Sequence, residues 1–168
     1  MRVLVDTSVW SLALRRGARA QNPEASIPEA QIPEAPIPEA IELRKLIAAH
    51  VAEIIGPIRQ ELLFGIRDPA QFGSLASHLA AFVDLPLLSE DYVTAAKFFN
   101  LCRSKGIQGS NTDFLICAVA ARHSLAVFAT DGDFLHFAKC LPVVLHEFRK
   151  TPAPKPEHSR RPTPKREA

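Results

Sequence analysis

A chain of 168 residues with 47% apolar side chains has the material for one packed core, which excludes a wholly disordered protein. Its net charge of +2 is unevenly held: residues 150–168 carry Lys150, Lys155, Arg160, Arg161, Lys165 and Arg166 against Glu157 and Glu167, leaving the rest at −2. A mildly acidic body excludes a broad basic nucleic-acid-binding face, and the longest apolar run, residues 114–121, is far too short to span a bilayer.

In chain order, residues 2–5 form a β-branched run that predicts a buried strand, and 9–14 a helix. Residues 21–40 repeat Pro-Glu-Ala every five residues, and five prolines there forbid a continuous helix or a central strand. An extended acidic spacer, disordered or partly polyproline II, is expected. Ile41, Leu43, Leu46 and Ile47 have helical spacing over 41–50, and 51–55 is a second strand, ended by Gly56-Pro57. Pro57 suits the start of a helix running to about residue 66.

Helices follow at 69–82 and 90–104, with 83–88 between them as a weaker strand interrupted by Pro86. Asn111-Thr112 signals the start of a helix through residue 121. Residues 126–129 read as a strand, 133–138 as a short helix and 143–145 as a last strand. Short strands alternating with helices predict an α/β fold in three layers, α/β/α, around a central parallel sheet. The segment from about residue 148 is Pro-rich and basic, and a disordered tail is expected.

Cys102, Cys117 and Cys140 are odd in number and widely spaced, and read as buried small hydrophobes in a reducing compartment. An apolar start broken by Asp6 does not read as a secretory signal. A soluble cytoplasmic protein, without membrane association, is expected.

Sites in open parallel sheets form beyond the carboxyl ends of the strands. Asp6 directly follows the first strand and Asp131 the run 126–130. Asp113 lies in the first turn of the helix feeding that run, and Glu61 one turn into the helix after 51–55. A parallel sheet brings all four to one edge. Clustered carboxylates repel one another unless cations occupy them, and hard oxygen ligands suit Mg²⁺ or Mn²⁺. Such a site supports phosphodiester hydrolysis. Taken singly, Asp6 reads equally as a helix cap, Asp113 as a first-turn dipole partner, Glu61 as a surface residue and Asp131-Gly132-Asp133 as an ordinary capped turn.

Four stretches in this order, Val5-Asp6-Thr7-Ser8-Val9-Trp10, Gln60-Glu61-Leu62-Leu63-Phe64-Gly65, Asp113-Phe114-Leu115-Ile116-Cys117-Ala118 and Thr130-Asp131-Gly132-Asp133-Phe134, resemble a PIN-domain protein. More narrowly they resemble the VapC toxins of toxin–antitoxin pairs, over residues 1–20 and 41–147. The resemblance implies a Mg²⁺-dependent endoribonuclease acting on RNA, with Mn²⁺ as a substitute. It also implies a homodimer neutralised by a cognate VapB-type antitoxin. By the same resemblance Asp6, Glu61 and Asp113 match the invariant acidic positions, and Asp131 a more variable fourth. Asp133 is then a helix cap or substitute, and Thr7 or Thr130 a hydroxyl orienting a carboxylate or water. The expected organisation is a PIN-like domain over 1–147, interrupted by the 21–40 insertion and followed by the 148–168 tail. Two features depart from the family pattern. The insertion enlarges a connection that helps hold the antitoxin and so puts the docking mode in question, and the basic tail extends past the last strand as an add-on expected to contact RNA.

A haloacid-type phosphatase needs a second Asp where Ser8 stands, and nothing acidic neighbours Asp6 as a receiver domain requires. No phosphate-loop, dinucleotide or nucleophile-elbow motif occurs. The alternative from another class is a non-catalytic RNA- or partner-binding module on the same fold.

Overall fold

Val3, Leu4 and Val5 form β1 (Val3–Val5), and all three are buried although successive side chains point to opposite faces of a sheet. The same holds for Ala126, Val127 and Phe128 in β3 (Ala126–Phe128). A strand buried on both faces belongs to a parallel sheet covered on both sides. The computed structural model describes residues 1–21 and 37–148, the side chains of 15–21 excepted. Among these residues the sheet has four parallel strands in the order β2-β1-β3-β4, with β2 at Ala52–Glu53 and β4 at Val144–Leu145.

Seven helices accompany it: α1 (Thr7–Gln21), α2 (Pro38–Ala48), α3 (Gly56–Leu63), α4 (Pro69–Leu79), α5 (Ser89–Ser104), α6 (Asn111–His123) and α7 (Asp133–Phe137). Helix α1 packs on α2 and α3, while α5 packs on α6. The fold is a three-layer α/β/α arrangement, as the alternating pattern predicts.

The differences from expectation are local. Residues 83–88 form no strand: Asp84 makes a single parallel bridge to Ile54, and Leu85 N–H donates to Ile54 O. Pro86 has no N–H with which to extend that ladder. The spacer is shorter than its repeat. Gln21 ends α1, and Pro38-Glu39-Ala40, the fourth repeat, is the first turn of α2. Proline is tolerated there because its missing N–H would have no partner in a first helical turn, and Ala40 is buried. Residues 22–36 of the spacer and 149–168 of the tail lie outside the described residues. Helix α3 stops at Leu63 rather than near 66, and α6, which begins at Asn111, is capped by Ser110 rather than by Asn111-Thr112.

The helices are delivered into the strands by tight turns. After α2, His50 N–H donates to Ile47 O and Val51 N–H to Leu46 O, with His50 at φ 54°. After α6, Ser124 and Leu125 repeat the pattern on Ala121 and Ala120, with Ser124 at φ 53°. Both are Schellman turns built on a non-glycine residue. Two cross-element ion pairs lock the helices. Arg122 Nε lies 2.6 Å from Asp91 Oδ1, tying the end of α6 to the start of α5, and its Nη2 also donates to Pro86 O. Arg59 clamps Asp84 and donates to Leu79 O and Phe82 O.

Candidate active site

The order β2-β1-β3-β4 reverses direction between β1 and β3, where open parallel sheets form their crevice. Val5 pairs with Phe128 at the last rung, and Asp6 N–H donates to Phe128 O, so Asp6 leaves the sheet beside the exit of β3. Helix α6 leads into the start of β3, so its own first turn, with Asp113, returns to the carboxyl edge. Helix α3 leaves β2 at that edge and carries Glu61. The topology therefore directs Asp6, Glu61, Asp113 and Asp131 to one end of the sheet.

Hydrogen bonds fix each carboxylate. Asp6 Oδ2 accepts from Ser8 N–H at 2.9 Å and so caps α1. Thr7 Oγ1 donates to Glu61 Oε2 at 2.6 Å, joining the first turn of α1 to α3. Asp113 Oδ2 accepts from Ser110 N–H at 2.7 Å, and Ser110 Oγ accepts from Asp113 N–H at 3.1 Å, a reciprocal capping box. Asp131 Oδ1 accepts from Asp133 N–H at 3.0 Å at the start of α7. Thr130 enters through its backbone, whose N–H donates to Ser8 Oγ at 3.1 Å and ties the β3 exit to α1. Ser8 and Ser110 are supporting residues that sequence reasoning missed. The S-x-x-D pattern from Ser110 to Asp113 was a readable cap signal for the second of them.

The electrostatics link the carboxylates. Asp6 is 6% exposed; burial raises its pKa above the ordinary 3.8, against the lowering effect of the Ser8 hydrogen bonds, and Glu61 adds to the rise. Burial likewise raises Asp113, opposed by its bonds with Ser110 and reinforced by the charges of Asp6 and Asp131. Negative charge is thus held in a partly dry place where a cation would lower its energy. The donor set is all carboxylate oxygen, which fits a hard divalent ion. Among the described residues, no three His, Cys, Asp or Glu side chains are gathered tightly enough to hold a metal ion as they stand.

Two shallow cavities flank the Asp131–Asp133 turn. One, of about 340 Å³, is lined by Gly106, Ile107, Gln108, Asp133 and His136. The other, of about 220 Å³, includes Thr130, Asp131, Gly132, Leu135, His146 and Glu147. Asp6, Glu61 and Asp113 line neither.

The pattern of the PIN-domain family matches residues 3–139, which take in all four carboxylates. The chain belongs to the PIN-domain family. Solved structures agree on the PIN fold. FitAcB from Neisseria gonorrhoeae superposes with a TM-score of 0.62 at 20% identity, covering 86% of this chain and 96% of that one. VapBC2 from Rickettsia felis, bound to a DNA fragment from its promoter, gives 0.64 at 14%, covering 89% and 100%. VapBC-1 from nontypeable Haemophilus influenzae gives 0.57 at 12%, covering 88% and 98%. No curated protein is a significant match. Among the described residues, no helix of this PIN domain is long and apolar enough to cross a membrane.

Proposed function

We propose that this PIN domain is a Mg²⁺-dependent endoribonuclease, the toxin of a VapBC-type toxin–antitoxin pair. The observation that carries the proposal is that burial, and then acidic neighbours (Glu61 for Asp6, Asp6 and Asp131 for Asp113), hold Asp6 and Asp113 above the ordinary carboxylate pKa, at the sheet end to which the topology directs all four. PIN domains are generally nucleases, which supports the class of reaction. Asp6, Glu61, Asp113 and Asp131 would hold Mg²⁺, or Mn²⁺ in its place. The bound ion would supply charge neutralisation at the phosphate and a more acidic water. The chain's own residues position the site: Thr7 holds Glu61, Ser8 holds Asp6 and the β3 exit, and Ser110 holds Asp113. Asp133 starts α7 and steadies Asp131 through its N–H.

Two of the structural neighbours are VapBC proteins, one of them bound to a DNA fragment from its promoter. They support a VapB-type antitoxin as partner here. Exposed apolar side chains, Phe64 at 69%, Val83 at 87% and Tyr92 at 54%, also suit protein partners, the antitoxin and a second copy in a homodimer.

The second reading, a non-catalytic RNA- or partner-binding module, draws on one observation: Asp6 caps α1 and Asp113 completes the capping box of α6, so both carboxylates have structural work. Incubating the purified chain with defined RNAs, with Mg²⁺ or with a chelator, and mapping the cut ends separates the two. Metal-dependent cuts at reproducible positions are expected; RNA bound yet left whole would favour the binding module.

A further inference from the structure

Cys102 and Cys140 are 38 residues apart in sequence, yet their Sγ atoms lie 3.3 Å apart. Cys102 is fully buried on α5, in the turn before the helix end. Cys140 is partly exposed and sits in the turns after α7, where its thiol also faces His136 O and Phe137 O. A sulfur–sulfur bond is about 2.0 Å, so closure needs an approach on the order of 1 Å. The Cys140 side is irregular backbone, which absorbs such a shift more readily than the α5 interior. One cysteine is partly exposed and the other fully buried, the arrangement of an attacking and a resolving thiol.

We propose that Cys102 and Cys140 form an oxidisable dithiol, a modification site that closes to an intramolecular disulfide on exposure to a small-molecule disulfide. Cys140, as thiolate, attacks one sulfur of R–S–S–R; the Cys140–S–S–R bond forms as the original bond breaks, and R–S⁻ leaves to take up the proton that Cys140 lost. Cys102 Sγ then attacks Cys140 Sγ, gives up its proton, and expels the second R–S⁻, which leaves as R–SH. The dithiol loses two electrons and the small disulfide gains them. Burial, and the neighbouring Cys140 thiol, push the Cys102 pKa up to about 11, so the second step quickens as pH rises. Cys117 is fully buried and its pKa is pushed up by that burial, which leaves it the unreacted thiol.

Closure would staple α5 to the far end of α7, the helix that starts beside Asp131. The inference is independent of the nuclease reading. The test treats the purified full chain with oxidised glutathione, removes the reagent, and alkylates the remaining thiols in denaturant. One reactive thiol is expected after oxidation against three after reduction, with peptide mass mapping joining Cys102 to Cys140. The melting temperature should rise by roughly 5 °C or more, because the unfolded chain is cross-linked across a long loop. Cys140→Ser, altered at the exposed partner, should lose both effects. Three thiols retained, a mixed glutathione adduct that never resolves, or a bond from either residue to Cys117 would each overturn the proposal.

Discussion

Asp6 caps α1 and Asp113 completes the capping box of α6, and under the proposed function both also hold a metal ion, so the two jobs respond differently to one substitution. Asn caps a helix about as well as Asp, so Asp6→Asn keeps the acceptor for Ser8 N–H while removing the charge. The folded protein holds the Asp6 and Asp113 protons more tightly than the unfolded chain does. Ionising them therefore costs stability at neutral pH, and that cost is relieved as pH falls toward 3.8. Thermal unfolding should show Asp6→Asn at least as stable as the parent at pH 7, with the difference shrinking toward pH 3.8. A variant clearly less stable at pH 7 would mean that the carboxylate serves the fold. Asp91 behaves oppositely. Its burial would raise the pKa, but the Arg122 hydrogen bonds and the Leu88 N–H overcome this and hold it below 3.8. Its contribution is present above 3.8 and lost as pH falls through the lowered value. Arg122→Leu should cost stability toward the lower end of the roughly 3–5 kcal/mol for breaking a buried pair, since Arg122 is partly exposed. Denaturant unfolding checks it.

At the scale of elements, the strands and most helices were legible because their signals are local. A β-branched run ended by Asp6, the Gly56-Pro57 break and Pro57 itself each act within a few residues. The missed features depend on contacts distant in sequence. Nothing local in the sequence joins Asp91 to Arg122, or Cys102 to Cys140, until the helices are packed. Ser8 meets Thr130 across 122 residues. The four carboxylates stood out as candidates because Asp6 and Asp131 follow strands, Asp113 lies in a first helical turn and Glu61 rides the helix after β2, positions that sequence marks; the hydrogen bonds that hold them needed the structure. Gly109 shows what the packing demands just before the cap of α6. A Cβ there would lie 2.5 Å from the Phe137 ring and 3.1 Å from Phe114. Gly109→Ala should therefore destabilise by about 1–3 kcal/mol, read by denaturant unfolding. Ser124→Gly should do the reverse, stabilising by about 0.5–1 kcal/mol, because Ser124 holds a left-handed φ that glycine adopts freely.

At the scale of the whole molecule, the proposed function gives the basic carboxyl-terminal sequence a part to play: it would neutralise RNA phosphates that the net-negative remainder repels. Residues 150–168 carry six basic side chains, and the remainder is net negative. We expect removal of 150–168 to weaken RNA binding and flatten its salt dependence, by a log–log slope of up to about 0.7 for each RNA phosphate no longer neutralised. Turnover at saturating RNA should barely change, since no carboxylate of the site is removed. An unchanged salt slope would show that this segment carries charge without touching RNA.

The central claim is that the carboxylates act together on RNA. The initial cleavage rate of one mapped RNA in Mg²⁺, compared between the parent and Asp113→Asn, tests it most directly. Outer-shell partners of a metal site already cost roughly 10–100-fold when altered, so a ligand carboxylate should cost at least about 100-fold. The fold should be retained in the same preparation. Equal cleavage by Asp113→Asn, or cleavage that persists in chelator, would contradict the account.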